Sequence, residues 1–150
     1  MNQTTVNDPL VIALFSEIAA TEQLARTRLS RALPPGMELS HFIVLNHFAR
    51  LRGEKTPAQL ARIFHLTKGA MTNTLSKLER AGYVHIRPDW DDARRKLVSI
   101  SPAGLAAREA AVSAISPVFE DMMRKLGPEK IRAALPFLRE LREHLGDGLD

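Results

Sequence analysis

Apolar residues recur at helical spacing along most of this chain, and the period breaks in one place. Val11, Phe15, Ile18, Ala25 and Leu29 follow steps of three, four and seven, which predicts a helix from about Pro9 to Leu33. Asp8-Pro9 suits its start, and Pro34-Pro35-Gly36 ends it. Phe42, Ile43, Leu45 and Phe48 predict a second helix near Leu39–Leu51, stopped by Gly53. Thr56-Pro57-Ala58-Gln59 reads as a capping box opening a short third helix with Leu60, Ala61 and Phe64 on its apolar side. Thr67 caps a fourth, which runs to about Ala81 before Gly82. Then the period shortens. Tyr83–Arg87 is β-branched and aromatic, and Leu97–Ile100 alternates, so both read as strands of a hairpin. The stretch between them, Pro88 to Lys96, is highly charged and predicts an exposed tip. Ser101-Pro102 caps a long helix to about Leu126, with a kink expected at Pro117. After Gly127-Pro128 a last helix runs to about Leu145, carrying Ile131, Leu135, Leu138 and Leu145 on one side.

Composition narrows the function. The chain has 150 residues, 45% hydrophobic and 25% charged, as in an ordinary globular domain. It has no cysteine, which excludes disulfides, zinc thiolates and thiol catalysis. No apolar run reaches membrane-spanning length and the N-terminus carries no signal pattern, so a soluble cytoplasmic protein is expected, with no membrane partner. The net charge of +4 is unevenly spread. Residues 1–50 are neutral, residues 51–100 hold 10 Lys/Arg against 5 Asp/Glu, and residues 101–150 hold 7 against 8. A basic middle between balanced ends suits an anion-binding module in a helical frame; on charge alone a solvated charged face weighs equally.

A short helix, a tight turn at Phe64-His65-Leu66, a capped helix and a charged hairpin form the pattern of a winged helix-turn-helix. There the second helix enters the DNA major groove and the hairpin reaches the backbone or minor groove beside it. On that helix Met71, Leu75 and Leu78 share one side, while Gly69, Thr72, Asn73, Ser76 and Arg80 lie opposite with Lys77 at the edge. None of the outward residues is acidic. Hydroxyls and lysines suit phosphate oxygens, and Asn73 suits adenine. The expected DNA-binding residues are Thr67, Lys68, Gly69, Thr72, Asn73, Ser76, Lys77, Arg94, Arg95 and Lys96.

Other groups carry less. Arg94 with Asp92 admits a plain ion pair, but its place on a basic tip favours DNA contact. Trp90 is expected to pack across the hairpin. Glu38 and His41 have the Glu-x-x-His spacing of di-iron bundles, which need a second such pair; a helix start is the preferred reading. His65 and His85 read as structural and His144 as solvated. No serine has an evident His/Asp set and no glycine cluster forms a phosphate loop, so no enzyme and no cofactor or metal site is expected.

The order of motifs from Leu39 to Gly104 resembles the multiple antibiotic resistance regulator (MarR) family of transcription factors. The resemblance is carried by Thr56 to Ala61, Leu66 to Thr72, Leu78 to Val84, Asp92-Ala93-Arg94 and Leu97 to Gly104. It implies a mainly α fold with a small β-hairpin wing, in one domain spanning residues 1–150. Helices near 9–35 and 117–147 would form a homodimer around winged heads at about 39–101. It implies a regulator, expected to be a repressor, binding double-stranded DNA at a palindrome. The wing Arg94 would enter the minor groove and Asp92 would orient it; the basic residue usual between them is Ala93 here. It further implies a small aromatic or phenolic effector held between frame and head, where Arg26, Arg28, His41 and His47 fall. Solvent exposure is the preferred reading for each of those four. A winged-helix module that binds a partner protein, not DNA, is the alternative.

Overall fold

The computed structural model describes residues 9–147. Six helices and one hairpin follow in the order α1 (Pro9–Ala32), α2 (Leu39–Arg50), α3 (Pro57–Ile63), α4 (Lys68–Arg80), β1 (Val84–Pro88), β2 (Lys96–Ile100), α5 (Pro102–Leu126) and α6 (Pro128–Gly146). The chain forms two compact units, one up to Ile115 and one from Ser116.

In the first unit, three helices and the hairpin close around one core. Val44, Leu45 and Phe48 of α2 meet Leu60 and Ala61 of α3, Met71, Leu75 and Leu78 of α4, and Val84 and Val98 of the hairpin. The apolar side predicted for α4 is the buried one, and Thr74 joins it. A smaller cluster gathers Leu33, Ala111 and Ile115 with Leu29 and Phe42 packed against it.

Local chemistry explains the element ends. Thr56 Oγ1 accepts from the Gln59 N–H at 3.1 Å and Gln59 Oε1 accepts from the Thr56 N–H at 2.9 Å, a complete capping box. The turn after α3 is closed by His65 at φ 52, with the Leu66 N–H donating to the Ala61 carbonyl. At the end of α4, Gly82 takes φ 78 and Tyr83 N–H donates to the Leu78 carbonyl. Tyr83 therefore belongs to the helix stop, and β1 begins one residue later than predicted.

The hairpin is antiparallel and pairs Val84 with Ile100 through Pro88 with Lys96. Lys55, just before α3, exchanges two backbone hydrogen bonds with Val98, which extends the sheet by one bridge. Ser101 ties the hairpin to α5: its N–H donates to Tyr83, its hydroxyl donates to Gly82, and the Gly104 N–H donates back to it at 3.0 Å. A Cβ on Gly104 would collide with the Tyr83 carbonyl oxygen, so only glycine fits that joint.

In the second unit, α6 starts from Gly127 at φ 82 and buries no residue. Leu135, Leu138 and Leu145 lie exposed. No described helix is long and apolar enough to cross a membrane.

Candidate nucleic-acid interface

The N-terminal ends of α3 and α4 and the tip end of the wing converge on a cleft of 600 Å³. Five cations line it: Arg62, Lys68, Arg94, Arg95 and Lys96, with Thr72 and Gln59 between them and no carboxylate. The positive ends of two helix dipoles add to that field. Such a surface attracts phosphate. Arg62 and Gln59 were not among the residues expected from sequence. Their place in the cleft follows from the way α3 lies beside the wing, which no local pattern announces.

Gly69, Thr72, Asn73 and Ser76 lie exposed on α4, on the side away from the core. Thr67 Oγ1 accepts from the Ala70 N–H at 3.1 Å, so this side chain starts the helix and does not line the cleft. Lys77 is differently placed. Its Nζ donates to Glu38 Oε1 at 3.1 Å, joining α4 to the start of α2.

The wing tip is held by its aspartates. Asp92 Oδ1 accepts from both the Arg94 N–H and Arg94 Nε at 3.1 Å, while the Arg94 side chain stays 92% exposed. The Arg94 side chain, then its N–H, hold the Asp92 carboxyl below its usual range. Asp89 Oδ2 lies 3.7 Å from Arg95. Trp90 does not pack across the hairpin as expected. It is 79% exposed, with the Arg87 guanidinium 5.5 Å from its ring centre. Arg87 itself is clamped by both oxygens of Glu54 at 2.8 Å. His85, expected to be structural, is exposed on β1 opposite Ser99.

Of the residues that fall where the resemblance implies an effector, three have defined neighbours in this chain. Arg26 is exposed and pairs with Glu22 on its own helix at 2.6 Å. His41 and His47 are not solvent-exposed as preferred. His41 is 8% exposed, and its Nδ1 accepts from the Glu38 N–H at 3.1 Å, so the Glu-x-x-His pair is a helix start. His47 stands edge-on to Phe48 and Phe64 at 5.8 and 5.5 Å. Burial, the largest cause in each, pushes both imidazoles below their ordinary value. For Glu38 the Lys77 hydrogen bond leads, and lowers the carboxyl. Among the described residues no group of three metal-binding side chains occurs.

A capped helix, a turn, a second capped helix and a basic wing define a winged helix-turn-helix protein. Residues 36–95 match the model of the MarR family. Over that stretch, 60 of its 150 residues, the chain is similar to the MarR family. It is 27% identical over 101 residues to the uncharacterised HTH-type transcriptional regulator YdgG of Bacillus subtilis (strain 168), a match spanning 66% of each chain. Its fold is similar to that of a mutant E. coli MarR complexed with operator DNA, with a TM-score of 0.78, 23% identity, and coverage of 87% of this chain and 94% of that one. It is similar also to Bordetella bronchiseptica BpsR, whose DNA binding is regulated by 6-hydroxynicotinic acid; there the TM-score is 0.77, the identity 18%, and the coverage 87% and 98%.

Proposed function

We propose that this protein is a dimeric, sequence-specific DNA-binding repressor of the cytoplasm. The observation that carries the reading is the carboxylate-free cleft where Lys68, Arg62, Arg94, Arg95 and Lys96 meet the N-termini of α3 and α4. In this reading α4 lies in the major groove, with Asn73, Thr72, Ser76 and Gly69 toward the base edges. Thr67 and Lys68 hold phosphates, and Lys77 does so when released from Glu38. The wing lays Arg94 in the minor groove, where a narrow groove concentrates negative potential. Asp92 orients it. Two heads of a two-fold dimer read half-sites about 10–10.5 bp apart in a near-palindrome.

An effector of the small aromatic or phenolic class would act by favouring a spacing of the heads unsuited to that DNA. The regulation of BpsR by an aromatic acid supports this as a property of a protein with this fold.

A gel shift with the promoter DNA adjoining the protein's own gene tests the reading. Binding is expected to weaken steeply between roughly 50 and 200 mM salt, as several displaced counterions require. A chain that binds no such duplex at low salt, or whose affinity is flat across that range, is not a DNA-binding regulator of this kind.

A further inference from the structure

Trp90 is the one tryptophan of the chain, and the DNA reading above gives it no task. It stands exposed at the wing tip. A single apolar residue on a surface is ordinary. Trp90 differs because its ring is held. The Arg87 guanidinium lies 5.5 Å from the ring centre. All three of its nitrogens are bonded within the chain. Nε and Nη2 donate to the two Glu54 oxygens at 2.8 Å, and Nη1 donates to the Pro88 carbonyl at 3.0 Å. Glu54 precedes Lys55, whose backbone pairs with Val98. The post beside the indole is thus fixed to the head. Asp89 and Asp91 also act on the Arg87 charge through space. Arg87 is therefore a support for the ring, not a spare cation for phosphate. The tip's carboxylates are mostly drawn into the loop. Asp89 Oδ1 accepts from the Asp91 N–H at 3.0 Å, Asp92 Oδ1 accepts from the Arg94 N–H, and both side chains are partly buried. Asp91 alone of the three stays exposed. The large side chains that project are the Trp90 indole and the Arg94 guanidinium.

We propose that Trp90 is a second DNA contact of the wing, its ring packing on the deoxyribose wall of the minor groove next to the place where Arg94 enters. The proposal rests on the regulator reading given above. Two side chains on one tip then divide the work. Arg94 answers the negative potential of the narrow groove. Trp90 offers a rigid apolar plate to the sugars, the part of the DNA backbone that carries no charge. Such a contact is indifferent to base identity and displaces no counterion. Because Arg87 already holds the ring, little side-chain freedom is lost on binding. Asp91, next to the ring, repels phosphate and so disfavours a seat on the phosphate ridge.

With a single tryptophan, the fluorescence of the unmodified protein reads the contact directly. The probe is the promoter duplex adjoining the protein's own gene. Saturation with that duplex is expected to shift the emission to the blue and to cut acrylamide quenching roughly twofold, as covering an exposed ring requires. Trp90→Ala is expected to weaken binding roughly tenfold at every salt concentration, leaving the salt slope at the parent's value. Trp90→Phe keeps a flat apolar plate and is expected to regain most of the loss. Trp90 belongs to neither core cluster, so Trp90→Ala is expected to melt with the parent. The contact is overturned if DNA-saturated protein keeps the emission and quenching of the free protein, or if folded Trp90→Ala binds as the parent does. It is overturned too if the ring becomes protected with rising protein concentration and no DNA, since it would then meet a second chain. A parent that shifts no duplex at low salt overturns the regulator reading and the contact with it. A parent that binds while Trp90 gives no response overturns the contact alone.

Discussion

The head and the terminal helices use their apolar residues differently. In the head, Phe48, Leu45, Leu60, Met71, Leu75 and Leu78 are all at most 2% exposed. By contrast, α1 and α6 bury no residue within the single chain. Leu10, Phe15 and Leu24 stay open on α1, as do Leu135, Phe137 and Leu138 on α6. A lone helix in water is marginal, and most of its stability comes from packing an apolar face. The head obtains that packing from its own sequence. The terminal helices need a second surface, and a two-fold copy of the same chain is the commonest source.

Cutting the head's core gives the largest effect. Phe48→Ala is expected to cost about 3–5 kcal/mol, read as a lower denaturation midpoint in urea. A loss below about 1 kcal/mol would show that the head is not self-sufficient. Leu138→Glu tests the other side. It is expected to turn a dimer into monomers by light scattering while the helical circular dichroism of the head persists. A mutant that stays dimeric would place the partner surface elsewhere.

Within the head, Arg94→Ala and Asn73→Ala are expected to fail differently on DNA. Losing Arg94 should weaken binding to all sequences and reduce the salt slope. Losing Asn73 should relax preference at one base pair per half-site by about 1–3 kcal/mol. Equal weakening on every duplex would mean that another face of α4 meets the bases. Thr67→Ala removes the cap on the Ala70 N–H and is expected to cost about 1 kcal/mol of thermal stability.

The smallest effect is set by pH. Burial lowers His41 and His47 from the ordinary imidazole value of 6.5. The unfolded chain therefore binds more protons than the folded one just below that pH, and stability falls as the solution is acidified through it. Thermal melts between pH 7.5 and 5.5 check the direction, and a rise in melting temperature toward pH 5.5 would contradict it.

The head was legible because its signals are local. Thr56 with Gln59, Thr67, Gly82 and the change of period at Tyr83 each mark an element within a few residues, and each boundary fell within a residue or two. The outward residues of α4 followed from angle alone. What stayed hidden depends on long sequence separation. Glu54 clamps Arg87 across 33 positions, and Glu38 reaches Lys77 across 39. Arg62 joins the cationic cleft only because α3 and the wing meet. The burial of His41 and His47 also escaped, since a polar residue on a helix says little about which neighbours cover it. Trp90 failed for the opposite reason: a large ring favours packing in general, but a tip rich in Asp89, Asp91 and Asp92 leaves it exposed beside the Arg87 guanidinium.

The knot at Ser101 and Gly104 has a mechanical consequence. The last turn of α4, the first strand of the wing and the first turn of α5 are all fastened to the same four residues, Gly82, Tyr83, Ser101 and Gly104. With no Cβ at Gly104 there is no spacer to act as a bearing, and the backbones are locked edge to edge. Torque applied along residues 102–115 would therefore be passed on to α4, carrying the wing with it. Such a corner behaves as a welded crank, and α4 and the wing turn together or not at all.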